Sequence, residues 1–210
     1  MPVELDSLDA ALNRARYLAD STNSRIIIGI VGKPGAGKST LSSHLLKHLP
    51  IDSTSLVPMD GYHLSNLQLA NLGRADRKGA PDTFDAIGFA EILERVKLDL
   101  ENDIYFPIFH REIEESIAAE GVVTSNTKIV ITEGNYLLHD KNGWEKVSSL
   151  LTESWYVELN DKTRLERLVN RHIKFGKEPQ FAHDWAHGTD ERNAQLVAKT
   201  KDKATVIVHL

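Results

Sequence analysis

Residues 31–40 read VGKPGAGKST, where two glycines bracket four residues and a lysine and hydroxyls follow. RIIIGI, a run of β-branched residues, precedes the stretch, and LSSHLLKHL follows it with apolar residues at helical spacing. The glycines therefore lie between a buried strand and the start of a helix. The pattern G-x-x-x-x-G-K-S/T is met at every position, through Gly32, Gly37, Lys38 and Ser39. Glycine lets successive backbone N–H groups turn toward an anion with no Cβ in the way, and the helix adds its positive end. A chain carrying this stretch is constrained to an α/β fold in which a phosphate-cradling loop leaves a buried strand.

The rest of the chain alternates in the same manner. Apolar runs predict strands over 25–31, 55–60, 128–134, 154–159 and 204–210, with a short strand at 105–109. Helical spacing predicts helices over about 4–21, 38–48, 84–100, 142–151, 162–175 and 183–200, with a short helical piece at 64–72. Asp85 and Asp161 are the expected caps of the helices that follow them. GRADRKGAPD, 73–82, reads as a loop. Short apolar strands between helices predict a P-loop NTPase-type parallel β-sheet of five strands or slightly more, flanked by helices on both faces. We expect a single domain over 1–210, with an N-terminal helix within 1–22 and a helical lid near 161–180. In such sheets, ligands sit beyond the carboxyl ends of the strands.

Composition narrows the function. The 210 residues suffice for one core, and a net charge of -5 argues against a broad nucleic-acid or membrane surface. No cysteine is present, which excludes disulfides, zinc–thiolate sites and cysteine nucleophiles and fits a cytoplasmic location. The charged N-terminus lacks the apolar core of a signal peptide, and no apolar run approaches the roughly 18 residues of a membrane span.

The chemistry-bearing residues cluster at predicted strand ends. Residues Gly32, Lys33, Pro34, Gly35, Ala36, Gly37, Lys38, Ser39 and Thr40 form the expected triphosphate cradle, with Lys38 reaching the β- and γ-phosphates and Ser39 ligating Mg²⁺. Asp60 and Glu133 each end a strand, and a carboxylate there suits either Mg²⁺ or proton abstraction. We assign Glu133 to the metal side and Asp60 to the base that deprotonates an attacking hydroxyl. His63, three residues on, is within reach of an acceptor. Arg164, Arg167 and Arg171 share one helix face, suited either to solvent and ion pairs or to transition-state charge, with Arg171 taken as catalytic. The pairs His44/His48 and His183/His187 lack an evident third ligand, so they read as surface histidines. Trp144, Trp155 and Trp185 read as packing residues.

Two functions share this cradle. One is transfer of the γ-phosphoryl group to a small hydroxylated acceptor; the other is a nucleotide-dependent switch or binding protein. No N-K-x-D follows for guanine and no L-S-G-G-Q for a transporter ATPase. The D-x-x-G matches at Asp85–Gly88 and Asp140–Gly143 do not directly follow a buried strand. Phosphoryl transfer is the favoured reading.

GKPGAGKST, PMDGYHLSN, RKGAPDTFD, YFPIFHR, VITEGNYLL and RLERLVNRHIKFG occur in that order from about residue 25 onward. This set resembles the uridine kinase, phosphoribulokinase and bacterial pantothenate kinase superfamily, and within it a uridine-kinase-like group that includes suggested fructose kinases. The resemblance implies ATP and Mg²⁺ as cofactors, Asp60 as base, Glu133 near the metal, and Arg167 and Arg171 as lid arginines on the ATP phosphates. By position it implies that His63, Lys78, Arg111 and Tyr136 line the acceptor pocket, with Lys78 and Arg111 suiting either a carboxylate or phosphate on the acceptor or the ordering of the loops. DGYHLSN differs from the D-S-F-Y of uridine kinases and is nearer the pantothenate kinase form, so sugar, pantothenate-like and nucleoside acceptors all remain open. The expected partner is a small molecule; nucleic acid and membrane are not expected, and a homodimer is compatible.

Overall fold

The computed structural model describes residues 1–210. In chain order it contains β1 (Val3–Leu5), α1 (Leu8–Asp20), β2 (Ile26–Val31), α2 (Lys38–His48), β3 (Thr54–Pro58), α3 (Asn66–Asn71), α4 (Ala86–Leu98) and the hairpin strands β4 (Ile104–His110) and β5 (Glu115–Val123). β6 (Ile129–Gly134), α5 (Val147–Leu150), β7 (Glu153–Glu158), α6 (Asp161–Lys174), α7 (Pro179–His187), α8 (Thr189–Ala198) and β8 (Val206–His209) complete it. Six strands pair in parallel in the order β1-β8-β7-β2-β6-β3, while β4 and β5 form a separate antiparallel pair. No helix is long and apolar enough to cross a membrane.

The unbroken apolar character of IIIGIV follows from burial on both faces. Ile27 and Val31 face a core with Phe89 and Leu93 of α4 and with Trp144. Ile26, Ile28 and Ile30 face the opposite core with Ala11 and Leu12 of α1 and Leu41 and Leu45 of α2. Burying each such side chain is worth about 1.5–3 kcal/mol, so the central strand is fixed from both sides. Buried Arg25, just before β2, donates to the carbonyls of Val96, Asp99, Thr124 and Thr127, tying the end of α4 to the turn before β6. β6 and β3 lie to one side of β2, and β7, β8 and β1 to the other. The strand ends therefore open a crevice where the glycine loop emerges.

Several expectations change. β1 was not anticipated; its three residues pair with β8 at the far end of the chain. Consequently α1 starts later than expected, at Leu8, with Ser7 accepting from the Ala10 amide. The helix expected over 183–200 is two helices broken at Gly188. Asp161 is the first residue of α6 rather than its cap; Asn160 caps it, accepting from the Thr163 amide. Asp85 does cap α4, through the Gly88 amide at 2.9 Å.

Candidate active site

The glycine loop has the shape an anion requires. Gly35 and Gly37 hold φ of +82° and +103°, in the left-handed region that glycine tolerates. No side chain bonds into the first turn of α2 at Gly37, so amides there remain available to an anion. The Lys38 ammonium folds back over the loop, donating to the Gly32 carbonyl at 2.9 Å, the Lys33 carbonyl at 3.2 Å and Asn135 Oδ1 at 2.7 Å. Burial pushes its pKa down to about 8, against the opposing pull of Glu133. Arg164 is almost wholly buried beneath the loop and donates to the Pro34 carbonyl, Asp161 and Glu191. Its backbone approaches so closely that a Cβ on Gly35 would lie 2.7 Å from the Arg164 carbonyl oxygen.

Beside the loop, Ser39 donates to Glu133 Oε1 at 3.0 Å and Ser42 to Glu133 Oε2 at 2.8 Å. A hydroxyl and a carboxylate side by side are hard oxygen donors, the set that Mg²⁺ takes together with phosphate and water. Asp60 lies in a 3-10 turn over Met59–Tyr62, just past β3 rather than on it. Arg111, brought in by the hairpin, donates to Asp60 Oδ2 at 2.9 Å. Gly61 is required by that approach, since a Cβ there would sit 2.1 Å from the Pro107 carbonyl oxygen. His63 stacks on Phe84 at 3.9 Å and lies 4.8 Å from the Phe109 ring. Burial holds its pKa down to about 4, so the imidazole is neutral at pH 7. Burial likewise lowers the Arg171 guanidinium pKa, with Arg111 adding repulsion.

Lys38, Ser39, Asp60, His63, Arg111, Glu133 and Arg171 line one cleft of about 910 Å³ between the glycine loop, the hairpin and α6. The family model described as Phosphoribulokinase / Uridine kinase family matches residues 27–208. The chain belongs to that family. It is 30% identical to "Putative uridine kinase C227.14" of Schizosaccharomyces pombe over 82% of this chain and 77% of that one. It is also 30% identical to the uncharacterized protein YggC of Escherichia coli K12, over 89% and 78%. The crystal structure of a "putative fructose transport system kinase" from Silicibacter sp. TM1040 superposes with a TM-score of 0.83, at 31% identity over 96% of this chain and 98% of that chain.

Within this kinase-family cleft, the structure brings together Pro34, Gly35, Gly37, Lys38, Ser39, Thr40, Asp60, His63, Lys78, Arg111, Glu133, Arg167 and Arg171. Gly32 and Lys33 lie beneath it, contributing carbonyls to Lys38, and the Ala36 side chain is buried. Tyr136 does not line the cleft. It is 1% exposed, and its hydroxyl donates to the Gly79 carbonyl at 2.6 Å, so it steadies the loop carrying Lys78. The arginine stripe divides: Arg164 is structural, whereas Arg167 and Arg171 face the cleft. Sequence reasoning missed Ser42 and Asn135. Ser42 follows Ser39 by one helical turn, and Asn135 follows Glu133 at the strand end, so spacing carried a signal for both. The His172–Asp190 contact at 2.6 Å, joining α6 to α8 beside the cleft, carried none.

Proposed function

We propose that the protein transfers the γ-phosphoryl group of ATP to a hydroxyl of a small metabolite. The glycine-loop amides and Lys38 hold the triphosphate, and Arg167 and Arg171 offset charge on its far side. Ser39 and Glu133 would hold Mg²⁺, which when bound neutralises phosphate charge. Asp60 accepts the proton of the acceptor hydroxyl as the new O–Pγ bond forms. The bond from Pγ to the β-phosphate bridging oxygen breaks, ADP leaves, and the proton passes from Asp60 to solvent. Arg111 orients the carboxylate of Asp60.

The observation that carries this reading is the juxtaposition, in one cleft, of Asp60 with the glycine loop and Glu133. A binding switch needs the loop and the metal ligands; it does not need a second carboxylate and a lined chamber facing them. The test is ADP release from Mg–ATP across a panel of hydroxyl compounds. Release dependent on one compound is expected. Steady hydrolysis that no compound stimulates would favour a nucleotide-dependent switch.

A further inference from the structure

We propose that Ser42 is a positioning residue for the metal side of the cleft: its buried hydroxyl holds one oxygen of Glu133 so that the other stays beside Ser39 before any cation arrives. The inference rests on the kinase reading, in which Ser39 and Glu133 hold Mg²⁺, and adds a residue to it.

The sheet fixes the backbone of Glu133. β6 lies between β2 and β3, and Glu133 is in register with Ile30 on one side and Pro58 on the other. The sheet does not fix the side chain, which keeps its rotamer freedom unless something binds the carboxylate. Both hydrogen bonds that restrain it come from hydroxyls of α2: Ser39 donates to Oε1 at 3.0 Å and Ser42 to Oε2 at 2.8 Å.

The two donors differ in their surroundings. Ser39 is exposed and lines the cleft, where a cation can reach it. Ser42 is 1% exposed, does not line the cleft, and belongs to the buried face of α2 with Leu41 and Leu45. Alanine would suit such a position better, having higher helix propensity and no polar group to satisfy. A serine there needs a partner, because a buried hydroxyl left unpaired is destabilising. It has one proton to give. The Glu133 oxygen at 2.8 Å is nearer than the Ser39 carbonyl at 3.3 Å, and it is charged, so it takes that proton. With Oε2 held in this way, Oε1 is the oxygen presented next to the Ser39 hydroxyl. The donors are neutral, so the negative charge of Glu133 remains for a cation. Residues that orient a metal's ligands typically account for about 10–100-fold in metal affinity.

The test is Mn²⁺ binding, read by electron paramagnetic resonance, to the full chain saturated with a non-hydrolysable ATP analogue, beside calorimetry of the same analogue in EDTA. Ser42→Ala is expected to raise the Kd for Mn²⁺ by about tenfold or more and to leave the metal-free affinity for the analogue unchanged. An unchanged Kd for Mn²⁺ overturns the inference and leaves the kinase reading intact. A metal-free affinity that falls as far as the metal affinity, up to complete loss of binding, also overturns it, because Ser42 would then only support α2 and the loop. If the wild-type complex itself takes up no Mn²⁺, the metal side of the kinase reading falls and the inference falls with it.

Discussion

In the proposed reaction the chemistry turns on Asp60. Replacing it by Asn preserves shape and its contact with Arg111 while removing the proton acceptor. Asp60→Asn is expected to lower kcat by about 10²-fold or more, with ATP affinity by calorimetry unchanged. Near-normal turnover would remove Asp60 from the role of base. His63 makes a separate prediction through stability. Its folded pKa, about 4, lies below the unfolded value of 6.5. The unfolded chain therefore takes up the proton first as pH falls. A stability loss begins near pH 6.5, grows toward pH 4 and is constant below. Between pH 7.5 and pH 5 it amounts to on the order of 2 kcal/mol. Urea unfolding at those two pH values should show this extra loss in the wild type and not in His63→Gln. An identical loss in both proteins would mean that the ring is not held neutral.

At the scale of elements, α6 meets the glycine loop through Arg164. Arg164 is buried against the Pro34 carbonyl and paired with Asp161 and Glu191, both of which keep contact with water. Arg164→Met should therefore cost about 2–3 kcal/mol, below the cost of breaking a fully buried pair. It should also raise the KM for ATP, because the loop loses its support. Unchanged stability and KM would show that the loop holds its shape without α6. Spacing alone put Arg164, Arg167 and Arg171 on one face; it could not say that the first turn of that face is covered. The same limit explains Tyr136, whose position after β6 was legible and whose burial was not. The loop itself, β2 and β6 were legible because motif and apolar run are local in sequence. β1 was not, since its partner β8 lies some 200 residues away. β5 was not, because its residues are largely exposed and left-handed Ala119, at φ 58°, interrupts the alternation.

For the whole molecule, the order β1-β8-β7-β2-β6-β3 sets β2 and β6 side by side, with β3 next. The loop after β2, Glu133 at the end of β6 and Asp60 just past β3 thereby open into one crevice. The hairpin closes one side with Arg111 and Phe109, and α6 closes the other with Arg167 and Arg171. Alternating apolar strands and helices foretold this architecture, but the closure by the hairpin depends on contacts between Gly61 and Pro107 that no local pattern announces. The most direct measurement is a crystal structure with Mg²⁺ and a non-hydrolysable ATP analogue. The account predicts phosphates on the amides of the glycine loop, Lys38 swung from Asn135 onto them, Mg²⁺ against Ser39 and Glu133, and the Asp60 carboxylate facing the terminal phosphorus. Phosphates bound away from the loop, or Asp60 turned from the terminal phosphorus, would contradict it.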